Sequence, residues 1–279
     1  MPQTLSATVD GLPLHVTAQG AGPPILLVHG AFTDGTAWDA VIADLVADHR
    51  IVTVDLRGHG RSGTPTADYA LADHAKDILA ALDAAGLDRA LIVGHDIGGI
   101  AALQVARDHA SRVDGLVVIN TTSEPEENAL KWRILGRLAL QFGVLPQVAD
   151  QLAGMYFGKT SRQLKAGVVS AWKDALGKTD KAQVHRAVRA WVRRPSIEKS
   201  LGSINGFVLS VAGAEDAAIS PDNAKRVMEA IPNARHKIVQ SVGHMLPLEK
   251  PEAVVEWIRW SQDEMLGARD MRTGQRQKK

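Results

Sequence analysis

The chain has no cysteine, so it can form no disulfide, no thiolate metal site and no thiol nucleophile. That absence fits a reducing compartment. The N-terminus, Met1-Pro2-Gln3-Thr4-Leu5, lacks the basic and apolar regions of a secretory leader. A cytoplasmic location is therefore the expectation. Long hydrophobic runs are also missing, since none approaches the ~18 residues of a membrane span. Neither sign of charge dominates: 32 Lys and Arg stand against 31 Asp and Glu, a net charge of +1. Neither nucleic acid nor a membrane surface is an expected partner on that balance. No internal repeat or low-complexity tract occurs, and no motif calls for a metal or an organic cofactor. Monomer and homodimer both remain open.

What is present is an apolar fraction of 45% in 279 residues, enough for one large core or a core with a subdomain. Leu12 to Ala18 alternates in period two after the turn Asp10-Gly11, which predicts a hairpin. Ile25–Val28, Ile51–Val54, Leu91–Val93, Leu116–Ile119 and Val208–Val211 are continuous apolar runs, the pattern of strands buried on both faces of a parallel sheet. Amphipathic segments such as Ala75–Ala85 and Asn223–Ala230 lie between them. The fold class that follows is α/β, a mostly parallel, doubly wound sheet with helices on both faces. His29, Asp55, Asp96 and Asp216 all fall just after predicted strands, where such sheets bind ligands. Residues 123–203 break the alternation. This stretch opens on Glu124-Pro125-Glu126-Glu127 and then turns helical, with one apolar stripe of Ile134, Leu135, Leu138 and Phe142 and another of Val184, Val188 and Trp191. It reads as a helical cap over the strand ends, with residues 1–122 and 204–268 as a discontinuous core. Residues 269–279 read as a basic, disordered tail.

The segment with most chemical content is Gly94-His95-Asp96-Ile97-Gly98-Gly99. The frame Gly-x-nucleophile-x-Gly marks a sharp strand-to-helix turn, with glycines where the turn leaves no room for side chains. The exposed position holds a carboxylate. Attack by a carboxylate on an ester carbonyl gives an anhydride, a poor intermediate. Attack on a saturated carbon gives an ordinary ester, which water cleaves with help from a base.

Five segments together resemble the α/β-hydrolase superfamily in its aspartate-nucleophile branch, the epoxide hydrolases and dehalogenases. They are Leu27-Val28-His29-Gly30, the stretch Asp55 to Ser62, the elbow around Asp96, Gly213-Ala214-Glu215-Asp216 with Pro221, and Gly243-His244-Met245 with Glu249 and Pro251. The resemblance implies that the cap is inserted after strand 6. It implies Asp96 as nucleophile, Asp216 as acid and His244 as base, with backbone N–H groups of Ala31 and Ile97 as an oxyanion hole. Glu215 and Glu124 are the alternatives for the acid.

The leaving group has fewer markers. Epoxide hydrolases use cap tyrosines to hold the opened ring oxygen, and Tyr156 lies in the cap, as a candidate acid or a packing residue; Tyr69 lies in the core. His185 is either a second donor or a solvated position. Haloalkane dehalogenases place tryptophan after the nucleophile and haloacetate dehalogenases place arginines one and four residues after it. This chain has Ile97 and Ile100 there. Phe32, Trp132, Trp172 and His185 complete the expected substrate-binding residues. The reading is a cofactor-free hydrolase acting on a small apolar substrate through an Asp96 ester, with epoxide opening first and dehalogenation second. Ester or lactone chemistry with Asp96 as base comes next, and a non-catalytic binding protein last.

Overall fold

The computed structural model describes residues 2–276, with side chains through residue 267. Eight strands form one sheet in the order β1-β2-β4-β3-β5-β6-β7-β8. β1 (Gln3–Val9) and β2 (Leu12–Gln19) make the hairpin expected at Asp10-Gly11, and β2 pairs antiparallel with β4. β3 (Pro24–Val28), β4 (Arg50–Val54), β5 (Ala90–His95), β6 (Val113–Ile119), β7 (Val208–Gly213) and β8 (Arg235–Val239) run parallel. The central strands are buried over nearly all their length, which is why their sequences do not alternate. β8 is absent from the sequence reading. Its Arg235, His236 and Lys237 hide it, and charged residues of this kind suit an edge strand that must not pair further.

Helices cover both faces: α1 (Asp39–Leu45), α2 (Asp73–Ala84), α3 (Ile97–Asp108), α9 (Pro221–Glu229), the short α10 (Leu246–Glu249) and α11 (Pro251–Arg276). The remaining five lie between β6 and β7 and form the cap: α4 (Ala129–Phe142), α5 (Pro146–Tyr156), α6 (Lys159–Leu164), α7 (Ala166–Lys178) and α8 (Lys181–Val192). The residues expected as a disordered tail from 269 instead continue α11 through Arg276; residues 277–279 lie outside the described residues.

One apolar stripe is placed otherwise than its spacing predicts. Ile134, Leu138 and Phe142 of α4 are exposed, and the buried face is Trp132, Gly136 and Ala139. Gly136 sets this face: a Cβ there would press on Val188 of α8, so the two helices meet across a small residue while the larger side chains turn outward. The stripe of Val184, Val188 and Trp191 on α8 is buried as expected.

The strand order reverses between β3 and β5, since the chain passes from β3 to β4 on one side and on to β5 on the other. Ligands bind at the carboxyl edge of such a switch point. The backbone is strained there. Phe32 beyond β3, Asp96 beyond β5 and Asn120 beyond β6 all have positive φ, at 58°, 50° and 47°.

Gly98 lets α3 come down onto β3, because a Cβ at that position would strike the carbonyl oxygens of His29 and Val28. Gly98→Ala should therefore destabilise the fold by about 1–3 kcal/mol. A urea unfolding midpoint equal to that of the parent would show that α3 can shift without cost.

Candidate active site

Asp96 is the residue between β5 and α3, with φ 50° and ψ −116°, and is only 3% exposed. Its N–H donates to the Ile119 carbonyl (3.0 Å), and its own carbonyl accepts from the Ile100 N–H (3.0 Å), so the turn is fixed to β6 and to the first turn of α3. The Ala31 N–H donates to Asp96 Oδ2 at 3.0 Å. Ile97 is the first residue of α3, and the positive end of that helix adds to the field that favours an anion at the turn.

His244 is buried between two carboxylates. Its Nδ1–H donates to Asp216 Oδ2 at 2.8 Å, and its Nε2 lies 3.7 Å from Asp96 Oδ2, an ion-pair separation too long for a hydrogen bond. Among the described residues no acceptor is within hydrogen-bond reach of that Nε2. The other Asp216 oxygen accepts from the Ala218 and Ile219 N–H groups, both at 2.8 Å. Asp216 is thus the carboxylate that orients the imidazole. Neighbouring Glu215 turns away to accept from the Thr160 N–H and hydroxyl, and Glu124 lines the wall of the cavity.

The electrostatics of the three groups follow from this arrangement. Burial alone would push His244 down, but Asp216 and then Asp96 raise it to about 10. Burial alone would push Asp96 up, yet the His244 imidazolium lowers it to about 2. Both shifts favour the ion pair, with His244 protonated and Asp96 ionised. A base with so high a pKa holds its proton and takes no second one. His244 gains a base function only when one of its anions is neutralised.

Several residues that sequence reasoning did not single out hold His244 in place. Asn120 Nδ2 donates to the carbonyls of Gly243 (2.8 Å) and His244 (2.7 Å), while its Oδ1 accepts from the Gly213 N–H (2.9 Å). It ties the ends of β6 and β7 to the histidine loop. His95 Nε2 meets the same His244 carbonyl at 2.8 Å; a carbonyl only accepts, so His95 carries its proton there. Burial, then the neighbouring His244, lowers His95 to about 3, which keeps it neutral. Glu249 Oε2 accepts from both the Gly158 and Gly243 N–H groups, joining cap and histidine loop. The signal for Asn120 is its place directly after a buried strand, the rule that already marked Asp96.

A cavity of about 110 Å³ opens onto Asp96 and His244 and is lined by Tyr156, Trp132, Trp191, Met155, Glu124, Glu126 and Arg194 among others. A larger one, of about 580 Å³, lies between the Gly58–Arg61 loop and α7/α8 and does not reach Asp96. The chemistry belongs to the smaller one. Tyr156 joins the candidate triad: it is buried, its ring meets that of His244 edge-on with centroids 4.8 Å apart, and its hydroxyl is raised well above 10 by burial, then by Asp96 and Asp216. Trp132 lines the same cavity. Phe32 and Trp172 line the larger one, with Trp172 stacked on Tyr156 and its Nε1–H donating to the Phe32 carbonyl at 3.1 Å. These aromatic rings separate the two spaces. His185 reaches neither; its Nδ1 pairs with the Gly136 carbonyl at 3.0 Å, on the side of α8 that faces α4. The substrate-binding role expected of it is corrected by that placement. The expectation of an apolar pocket also changes, because Arg194, Glu124 and Glu126 make one wall polar. Among the described residues no group of three or more His, Asp or Glu side chains could hold a metal ion.

Asp96→Asn removes one of the two anions on His244 and should lower its pKa by about 1–3 pH units. An imidazole NMR titration of parent and variant reads this directly. Unchanged titration would mean that Asp96 does not contribute to the charge state of the imidazole.

Comparison with known proteins supports the fold, and the relatives are named as esterases, lactonases and carbamate hydrolases rather than as epoxide hydrolases or dehalogenases. The α/β-hydrolase fold family matches residues 23–251. RutD of Caulobacter sp. (strain K31), named for a proposed carbamate hydrolysis, is 32% identical over 253 residues, 89% of this chain and 94% of that protein. The solved structure of Est816, described as an N-acyl homoserine lactone degrading enzyme, superposes with a TM-score of 0.79 at 28% identity, over 91% of this chain and 98% of that one. A thermophilic esterase from Thermogutta terrifontis shares the fold with a TM-score of 0.87 at 22% identity, over 95% and 99% of the two chains. The chain belongs to the α/β-hydrolase fold family.

Proposed function

We propose that the protein is a hydrolase in which the Asp96 carboxylate attacks a saturated carbon, breaks a carbon–oxygen bond and forms an ester that water then cleaves. The observation that carries this reading is the position of His244, cationic between Asp96 and Asp216. Alkylation neutralises Asp96 and removes one of the two anions that keep the imidazole protonated.

With an epoxide the cycle balances. A carboxylate oxygen of Asp96 forms the new C–O bond, and the ring C–O bond breaks with its electron pair on the ring oxygen. The proton of His244 ends on that oxygen, while the Tyr156 hydroxyl, which keeps its own proton, donates a hydrogen bond to it. His244 is then neutral and takes a proton from water as the water attacks the ester carbonyl. The N–H groups of Ala31 and Ile97 hold the resulting oxyanion. Collapse frees the diol and restores the Asp96 carboxylate and the imidazolium. A halide leaving group has less support: the Trp172 N–H is engaged by Phe32, and the residue after the nucleophile is Ile97, which has no side-chain N–H.

The names of the relatives favour a second reading, hydrolysis of an ester or lactone with Asp96 as base. In that reading Asp96, held ionised by His244, has to accept a proton during turnover. Isotopes separate the two. Turnover in ¹⁸O water places the label in the side chain of residue 96 under the first reading and only in product under the second. His244→Gln with a reactive epoxide should accumulate an adduct on the peptide that contains Asp96, seen by mass spectrometry. If epoxides give neither adduct nor label while esters or lactones turn over, the second reading replaces the first. Tyr156→Phe should slow epoxide opening by about 10²-fold; equal rates would remove Tyr156 from the mechanism.

A further inference from the structure

The wall of the small cavity holds a buried cation that the mechanism above does not use. Arg194 lies two residues beyond α8, where the chain leaves the cap, and its side chain is only 5% exposed. It lines the same cavity as Asp96, His244 and Tyr156. Its guanidinium lies over the Trp191 ring, 5.4 Å from the centroid. Nε donates to the Glu124 carbonyl (2.9 Å), Nη1 to the Trp191 carbonyl (2.9 Å) and Nη2 to Glu126 Oε2 at 3.5 Å, the outer limit of a hydrogen bond.

A guanidinium offers five N–H groups in a planar fork. Here two are satisfied at good distance by carbonyls, which carry no full charge, and a third by a carboxylate at long range. Burial lowers the Arg194 pKa even with the Glu126 and Asp96 charges opposing that effect, so its neighbours do not fully compensate the buried cation. Asp96 is at the same time held by His244, and its charge disappears whenever it is alkylated. All three guanidinium nitrogens have a partner, but only three of the five N–H groups are engaged, and a buried arginine with that spare capacity in the wall of a reaction cavity is suited to bind a planar anion.

We propose that Arg194 is the anion-recognition residue of this site and that the substrate is a short carboxylic acid, its carboxylate held by Arg194 while Asp96 attacks a carbon two or three bonds away. This rests on the Asp96 reading for the chemistry, but the binding part stands without it. The volume sets the size. At about 110 Å³ the cavity is smaller than the ~150 Å³ that accommodates benzene, which limits the bound part to roughly six non-hydrogen atoms. Glu126 carries the same sign of charge as the anion, contacts Arg194 Nη2 and lines the same cavity, so it competes with the substrate carboxylate for Arg194. The two residues should therefore have opposite effects on affinity.

The test uses an isosteric pair of non-reacting probes, butyrate and butyramide, with the fluorescence of Trp132 and Trp191 in the cavity wall as readout. The parent should bind butyrate at least about tenfold more tightly than butyramide. Arg194→Met should abolish that preference, and Glu126→Gln should increase butyrate affinity several-fold. With reacting substrates, oxirane-2-carboxylate should exceed oxirane-2-carboxamide in kcat/KM, and Arg194→Met should remove the difference mainly through KM. Equal binding of the two probes by the parent overturns the proposal, as does an Arg194→Met protein that keeps the preference. If Arg194→Met fails to fold, because its backbone hydrogen bonds help close the cap, the parent probe ratio and Glu126→Gln decide the matter. Butyrate preference without any adduct on Asp96 would uphold the anion site and reject the nucleophile.

Discussion

The site depends on a charge arrangement: one imidazolium buried between two carboxylates. Burial alone favours the neutral form of each group, and His244 is held protonated first by Asp216 and then by Asp96, while Asp96 is held ionised by His244. The supporting structure serves this arrangement. Asn120 and the neutral His95 grip the His244 carbonyl, Ala218 and Ile219 hold the far oxygen of Asp216, and the Ala31 N–H faces Asp96. In energetic terms the sheet's carboxyl edge is a device for keeping three ionised groups at fixed separations away from water. The strained φ values at Phe32, Asp96 and Asn120 are borne by the rigid strands that precede them.

Much of this was legible in the sequence because it obeys local rules. Buried parallel strands leave continuous apolar runs, and sharp turns leave glycine, so the sheet, the elbow and the histidine loop could be placed from Ile25–Val28, Gly94–Gly99 and Gly243–Met245. Asp216 rather than Glu215 follows from the turn after β7, and the structure places Asp216 on the imidazole and Glu215 on Thr160.

What could not be read depends on pairs of residues distant in sequence. Whether Ile134 or Gly136 faces inward is decided by α8, some fifty residues later, and spacing within α4 alone favours the wrong face. His185 lies beside the apolar stripe of α8, where a donor and a solvated position look alike in sequence, and a carbonyl on α4 takes its ring. Arg194 looks like one of three consecutive cationic or cyclic residues, Arg193-Arg194-Pro195, and nothing local distinguishes the buried one from its exposed neighbour. The polarity of the cavity was missed for the same reason: the apolar majority of the cap is conspicuous in composition, while a single inward-facing guanidinium is not.

The hydrogen bonds around Tyr156 divide the cap into two mechanical parts. The Tyr156 carbonyl receives the N–H groups of both His244 and Met245, and Gly158 shares Glu249 with Gly243, so the end of α5 is stitched into the main chain that carries the imidazole. α7 has a lighter fastening at this point, the contact of its Trp172 with Phe32 and Tyr156. Any change that shifts the α5 end therefore shifts the backbone of His244 with it.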